Sequence, residues 1–324
     1  MANVVLESLL KPLEEFYTPS FVEEIAINHA GQVWMRLHGA RVPWVAYSAP
    51  QLTKDYLINL IYTVANVYKQ PFDPEKGSPT VYIDLPGQRR FSAIAGKNVR
   101  YDDRDLTGGV AMNIRSGIVK ETSLKNYHLE HGKPLMKMKE RKKVHQSDPY
   151  DRLMQAVNDG SPILISGATA TGKTTILNHL LTLIDKDARV ITVEDNREIN
   201  VPQPNHVHLL LSRTEQTNSF DYVAAIDLTN RMTPDIVLGG EIATNNAAAL
   251  WNLLQSGNNH FYTTIHANSA EEAYRRFAEL VLGIQSSANK ETLIQEMKET
   301  ICVVQLARDG GDRAIIDVVH NIRT

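Results

Sequence analysis

From about residue 149 onward, short apolar runs alternate with segments whose apolar residues recur every three or four positions. The runs predict strands at 163–166, 190–193, 207–211, 236–238 and 261–265. The periodic segments predict helices at 173–184, 220–232, 247–255 and 273–282, and Ser269 with Glu272 forms a capping-box pattern before the last of them. Two further runs, 301–307 and 313–319, flank Gly310-Gly311 and predict a closing hairpin. This alternation is typical of an α/β domain with a mostly parallel sheet.

The first 120 residues show a different, mixed pattern. Leucines at helical spacing predict an early helix (Leu6, Leu9, Leu10, Leu13), and residues 54–68 predict a second. Alternation at 33–37 predicts a strand, and the runs 81–85 and 90–94 around Pro86-Gly87 predict a hairpin. We therefore expect a smaller α+β N-terminal domain over residues 1–120.

Between residues 121 and 148 few apolar positions are periodic, and lysines and arginines accumulate from Lys133 to Lys143. We interpret this segment as a basic linker, which places the second domain at 149–324. A basic run of this kind can contact nucleic acid or an anionic membrane, or can simply keep a linker solvated; the sequence leaves both readings open.

Composition narrows the class of protein. A chain of 324 residues exceeds the usual size of a single core, and a net charge of −3 with a pI near 6.4 gives no global attraction to nucleic acid. Its one cysteine, Cys302, lies in an apolar run, which predicts a buried thiol and excludes an intrachain disulfide. With no signal peptide and no apolar stretch long enough to span a membrane, we expect a soluble, cytoplasmic protein.

The segment between the strand at 163–166 and the helix at 173–184 fits the pattern G-x-x-x-x-G-K-[ST]. It comprises Gly167, Ala168, Thr169, Ala170, Thr171, Gly172, Lys173 and Thr174, followed by Thr175. A loop of this kind wraps its backbone N–H groups around nucleotide phosphates at a helix N-terminus. Lys173 is then expected to reach the β- and γ-phosphates of ATP, and the Thr174 hydroxyl to ligate Mg²⁺.

Polar residues follow three of the predicted strands. Glu198 lies shortly after the strand at 190–193, Glu241 follows Gly239-Gly240, and His266 follows the strand at 261–265. Because ligands bind beyond the carboxyl ends of parallel strands, each is a candidate for the hydrolytic site. No aspartate ends the strand at 236–238, so Glu241 is also a candidate anchor for the metal. Taken singly, an acidic residue here can equally cap a helix, and a histidine can be purely structural.

Three segments around this loop carry a resemblance to a known family. Residues 191–199 resemble the aspartate box of the secretion traffic ATPases, 231–241 resemble their atypical Walker B segment, and 263–273 resemble their histidine box. In the N-terminal part, 23–28 and 31–34 are similar to the branch that serves type IV secretion and conjugation. The resemblance implies a RecA-like P-loop NTPase domain and a hexameric ring in which nucleotide binds between the two domains.

The resemblance also implies residue roles. Glu198 and Glu241 become water-polarising carboxylates and His266 a sensor of the γ-phosphate, while Arg231 and Arg115 become alternative arginine fingers. The chain departs from the family at two positions where arginine is common, Thr233 and Ala243.

Three functions remain open at this stage. The first is a Mg²⁺-dependent ATPase motor for substrate translocation or pilus assembly, peripheral at the cytoplasmic face of the inner membrane and contacting inner-membrane components, with DNA or protein as cargo. The second is a nucleotide-binding assembly module with negligible hydrolysis, which the two departures favour. A small-molecule kinase ranks third, because the long N-terminal domain supplies neither a lid nor an acceptor site.

Overall fold

The computed structural model describes residues 2–38, 43–102, 108–116, 148–211, 220–255, 260–283, 289–309 and 312–320. Within these ranges no helix is both long and apolar enough to cross a membrane.

The N-terminal part is built on an antiparallel sheet. Its elements are α1 (Ala2–Tyr17), β1 (Val22–Ile27), β2 (Gly31–Leu37), β3 (Trp44–Ala49), α2 (Lys54–Val67), β4 (Thr80–Leu85), β5 (Arg89–Gly96), β6 (Val99–Arg100) and β7 (Gly109–Arg115). Six strands pair in the order β3-β2-β1-β7-β5-β4. Both helices share one apolar core with this sheet: Leu13 of α1 and Leu60 of α2 belong to the same buried cluster as Ile25 and Phe91. The two helices and the hairpin β4–β5 are as predicted, whereas β1, β3, β6 and β7 were not.

The C-terminal part is an α/β domain. Its elements are α3 (Pro149–Asn158), β8 (Ile163–Ser166), α4 (Lys173–Thr182), β9 (Val190–Glu194), β10 (His206–Leu210), α5 (Tyr222–Arg231), β11 (Ile236–Gly239), α6 (Ala247–Gln255), β12 (Phe261–Ile265), α7 (Ala270–Leu282), α8 (Lys290–Thr300), β13 (Cys302–Asp309) and β14 (Asp312–Val319). The sheet order is β14-β13-β8-β12-β11-β9-β10-β6, and the six strands from β13 to β10 are parallel. The predicted fold class is confirmed, and each predicted strand is present within one residue or two of its predicted bounds.

Helices cover both faces of this sheet because apolar residues alternate along its strands. Ile163 and Ile165 of β8 pack in a cluster with Leu177 of α4, whereas Leu164 belongs to the cluster that contains Phe277 of α7. The capping box that opens α7 is present in a shifted form. Ser269 Oγ accepts from the Glu272 N–H at 3.1 Å, while the Glu272 carboxylate accepts from the N–H of Asn268, one residue before the cap.

The two parts of the chain share a sheet. Strand β6 pairs with β10 in antiparallel register, with His208 opposite Arg100, so a strand from the predicted N-terminal domain closes one edge of the C-terminal sheet. Residues 121–147 of the predicted linker lie outside the described residues. The domain boundaries therefore stay a prediction.

A buried polar cluster also joins the two parts. Arg189, just before β9, is fully buried, and its guanidinium donates to Asn28 Oδ1 at 2.8 Å, Asn113 Oδ1 at 3.2 Å and the Met232 carbonyl at 2.9 Å. Burial lowers the pKa of Arg189 to about 10, against the opposing effect of Glu24 and Asp235.

Thr233, one of the two departures from the family pattern, belongs to this cluster. Its Oγ1 donates to the buried Glu24 carboxylate at 2.6 Å, which also accepts from Asn113 Nδ2 at 2.5 Å. The backbone of Thr233 has φ of 45°, a region that β-branched residues rarely occupy. Thr233 is thus used for contact between the two parts of the chain.

Candidate nucleotide site

The loop between β8 and α4 has the backbone of an anion cradle. Gly172, the N-cap of α4, has φ of 91° and no side chain caps the helix, so the first N–H groups of α4 are left for another acceptor. Gly167 has no room for a side chain, because an added Cβ would lie 2.5 Å from Thr171 Oγ1. The glycine spacing that the sequence shows is therefore required by the shape of the loop.

Lys173 is held inside the loop by three acceptors. Its Nζ donates to the carbonyls of Gly167 at 3.1 Å and Ala168 at 3.2 Å, and to His266 Nδ1 at 3.1 Å. On its other side, His266 Nε2 lies 3.0 Å from Glu241 Oε1. Since Nδ1 accepts, Nε2 carries the proton and donates to Glu241. Burial lowers the pKa of Lys173, and Glu241 partly offsets this effect.

The second carboxylate, Glu198, meets the candidate metal ligand. Thr174 Oγ1 donates to Glu198 Oε2 at 3.3 Å. The structure thus brings Glu198 to Thr174, whereas Glu241 faces His266.

The segment that carries Glu198 is held by Glu194, the last residue of β9. Glu194 is fully buried, and its Oε2 accepts from the N–H groups of Glu198 and Ile199, both at 2.9 Å. Its Oε1 accepts from Thr192 Oγ1 at 2.6 Å and lies 3.3 Å from His208 Nδ1. A carboxylate with four partners is well satisfied in a buried position, so Glu194 fixes the start of the Glu198 segment.

One cavity of about 480 Å³ contains most of the predicted site. Its lining includes five residues to which the sequence analysis assigned a chemical role: Lys173, Thr174, Glu198, Glu241 and His266. Thr169, Ala170, Gly172 and Thr175 of the loop line it as well. Uncapped helix N–H groups, a lysine and a hydroxyl together fit a nucleotide with Mg²⁺. No cluster of three or more histidine, cysteine or acidic residues that could hold a metal occurs in the described ranges.

The two candidate arginine fingers lie elsewhere. Arg115, at the end of β7, and Arg231, at the end of α5, line a second cavity of about 430 Å³ together with Arg90. Arg231 pairs with Asp227 at 3.1 Å and stacks over Tyr82 at 4.6 Å. The structure brings the two arginines to each other and not to the phosphate loop.

The first cavity also contains Glu194 and Arg313. Glu194 directly follows the predicted strand 190–193, where an acidic residue can equally cap a helix or serve the site, and the sequence left both open. Arg313 on β14 was predicted only as part of the closing hairpin. The position of Glu194 as the last residue of a buried strand was a usable signal. Nothing near Arg313 in the sequence indicates the phosphate loop.

These features define the chain as a P-loop protein with a RecA-like α/β domain. It belongs to the family of type II/IV secretion system proteins, whose model matches residues 140–310, just over half of the chain. The resemblance stated from the sequence motifs is therefore confirmed at the level of the family.

Individual relatives agree with this assignment. The chain is 28% identical to the type IV secretion system protein VirB11 of Bartonella quintana over 300 residues, covering 84% of this chain and 80% of the relative. It is 28% identical to the protein VirB11 of Agrobacterium fabrum over 323 residues, covering 95% and 90%. Its fold is similar to the crystal structure of the VirB11 ATPase from the Brucella suis type IV secretion system in complex with sulphate, with a TM-score of 0.79, 24% identity, and coverage of 97% of this chain and 93% of that one.

Proposed function

We propose that the chain is a Mg²⁺-dependent ATPase that powers substrate transfer or pilus assembly in a type IV secretion or conjugation system. The convergence of Lys173, Thr174, Glu198, Glu241 and His266 on one cavity carries the proposal. The names of its relatives, which are type IV secretion proteins, support the choice of system.

The contacts in the cavity suggest how each residue would work. When bound, Mg²⁺-ATP supplies the phosphoryl group that is transferred to water. Lys173 would exchange its two carbonyl partners for phosphate oxygens, a stronger charge-assisted interaction. Thr174 would turn its hydroxyl oxygen from Glu198 to the metal, and Glu198 would then be available to orient water.

Glu241 and His266 would act as a pair. Glu241 keeps the proton of His266 on Nε2, so that Nδ1 remains an acceptor for Lys173. Movement of Lys173 toward a phosphate would deprive Nδ1 of its donor. This link supports a role for His266 in reporting occupancy of the γ-phosphate position.

We further propose that the protein acts as a ring, a homo-hexamer by resemblance, at the cytoplasmic face of the inner membrane. The separation of Arg115 and Arg231 from the loop supports this, because a neighbouring copy in a ring could bring either arginine to the phosphates. Inner-membrane components of the secretion machine would be its partners, with DNA or protein as cargo.

The test is Mg²⁺-dependent ATP turnover measured over a range of protein concentrations. We expect turnover that rises more than linearly with protein, because each site would be completed across a subunit contact. Lys173→Ala should abolish turnover, while the exposed-residue variant Lys186→Ala should behave as the wild type. If the wild type turned over ATP no faster than Lys173→Ala at every concentration, the proposed motor function would be refuted.

One observation favours the assembly module as a second candidate. Thr233 and Ala243 occupy positions where the resemblance implies arginine, and the Thr233 side chain is committed to another contact, its hydrogen bond to Glu24. In that case ATP would promote ring formation, and Glu241→Gln would retain full secretion in cells. If Glu241→Gln lost secretion while ring formation stayed intact, the result would favour the ATPase motor over the assembly module.

A further inference from the structure

The C-terminal hairpin reaches the phosphate loop. Strand β13 pairs in parallel with β8, and its last partner on that side is Gln305, opposite Ser166. β13 then continues to Asp309, past the point where β8 gives way to the loop. Leu306 lies against the loop, its carbonyl oxygen 3.1 Å from the position that a Cβ on Gly167 would take. The hairpin therefore forms one wall of the site.

Arg313 of this hairpin lies over the loop. It lines the same cavity as Lys173, and its Cδ and Nη1 are 3.2 and 3.6 Å from the position that a Cβ on Gly172 would occupy. The Arg313 side chain therefore packs beside Gly172, whose positive φ shapes the turn into α4.

The charge of Arg313 has no partner within the parts of the chain that the structure describes. Its side chain is exposed to the cavity and makes no hydrogen bond or ion pair there. The register of the hairpin places it directly opposite Arg308, which has a partner of its own. Apart from Lys173 and His266, no other basic side chain lines this cavity among the described residues. An anion bound beside Gly172 would give Arg313 a partner.

We infer that Arg313 binds the phosphate chain of the nucleotide, at the α- and β-phosphates that ATP and ADP share. This inference rests on the proposed function. The carboxylates Glu198 and Glu241 with His266 cluster on Thr174 and Lys173, the residues that serve the metal and the γ-phosphate. Arg313 contacts Gly172 instead, one position earlier on the loop. It is therefore a binding residue for product as well as substrate.

The experiment measures the dissociation constants of ADP and of a non-hydrolysable ATP analogue, by titration calorimetry at fixed ionic strength. Arg313→Ala should weaken both by a similar factor, about 10- to 100-fold, as expected for a charge-assisted contact. Arg313→Lys should recover part of the loss, because it keeps the charge without the planar fork. Arg276→Ala, which removes an exposed arginine on α7 outside the cavity, should bind as the wild type does.

Two further readouts separate binding from structure. The KM for ATP should rise in step with the dissociation constant, while kcat falls by a smaller factor. Without nucleotide, the melting temperature of Arg313→Ala should equal that of the wild type, because Arg313 makes no hydrogen bond or ion pair among the described residues.

The outcomes distinguish this inference from the proposed function. If the wild type binds nucleotide and Arg313→Ala binds it equally well, the assignment of Arg313 is wrong while the proposed function stands. Weaker binding of the ATP analogue alone would also overturn the assignment, since it would place Arg313 at the γ-phosphate. If the wild type binds neither ligand, the proposed function itself fails and Arg313 loses its role with it.

Discussion

Replacing Glu194 by glutamine tests whether the buried carboxylate positions the candidate catalytic Glu198. The substitution keeps the shape of the side chain and leaves no cavity. Its amide oxygen can still accept from the N–H groups of Glu198 and Ile199, and its NH₂ group can face Thr192 Oγ1, which is able to accept as well as donate. What is lost is the negative charge behind the two backbone hydrogen bonds.

The size of the effect follows from those two bonds. A hydrogen bond to a charged group contributes about 1.5–3 kcal/mol, against about 1 kcal/mol for a neutral one. We therefore expect the Glu198 segment to be less firmly held by roughly 1–3 kcal/mol in total. Since about 1.4 kcal/mol corresponds to a factor of ten in rate, kcat should fall by about 5- to 150-fold if this loss appears as misplacement of Glu198. KM should change little, because Lys173 and Gly172 are untouched.

The assay is a double-mutant cycle on kcat with Glu194→Gln, Glu198→Gln and the combined variant. If Glu194 acts only through Glu198, its substitution should cost less than about twofold once Glu198 is already glutamine. The exposed Glu291→Gln serves as the control for loss of a carboxylate. Multiplicative effects of the two substitutions, or a kcat of Glu194→Gln equal to that of the wild type, would refute the positioning role.

The remaining predictions concern stability. Arg189→Met should lower the free energy of unfolding, measured by urea titration, by about 3–5 kcal/mol. The reason is that it leaves the buried Glu24 carboxylate and three carboxamide oxygens without their cation. A change below about 1 kcal/mol would contradict this account of the cluster. Burial raises the pKa of the Cys302 thiol to about 12, so the folded state keeps the proton that the unfolded chain releases above about pH 9. The wild type should therefore lose stability relative to Cys302→Ala as pH rises from about 9 to 12, by up to about 1.4 kcal/mol per pH unit, and a constant difference across that range would count against it.

The C-terminal domain could be predicted well from the sequence because each of its strands and helices has a clear pattern within its own short segment. The central strands, such as 163–166 and 261–265, are fully buried and mostly apolar, and helices with one apolar face separate them. The antiparallel strands of the N-terminal part were harder. Residues 22–27 and 109–115 contain buried polar side chains, Glu24 and Asn113, which interrupt the alternation that identifies a strand. Their partners lie far away in the sequence: Asn113 accepts from Arg189, and Glu24 accepts from Asn113 and Thr233.

The candidate site could likewise be predicted where its residues follow local patterns, and not where they depend on distant contacts. Lys173 and Thr174 belong to one contiguous motif, and Glu198, Glu241 and His266 each follow a strand, so parallel topology brings them together. The roles assigned to these residues stay predictions, as does the finger role of Arg115 and Arg231. Arg313 could not be found from the sequence, since its approach to Gly172 depends on how far β13 extends beyond β8 and on the register of the hairpin.

Strand β6 is only two residues long, yet it bears on how the chain avoids aggregation. It covers the edge of β10, where Asn98 adds two further hydrogen bonds to Leu210 at 2.7 and 2.8 Å. The opposite edge, β14, begins with exposed charged residues, Asp312 and Arg313, which discourage pairing with another chain. β10 has no such protection of its own, because four of its five residues are buried. Since N-terminal segments emerge first during synthesis, β6 is already available when β10 forms, and the order of translation shields the most vulnerable edge of the sheet.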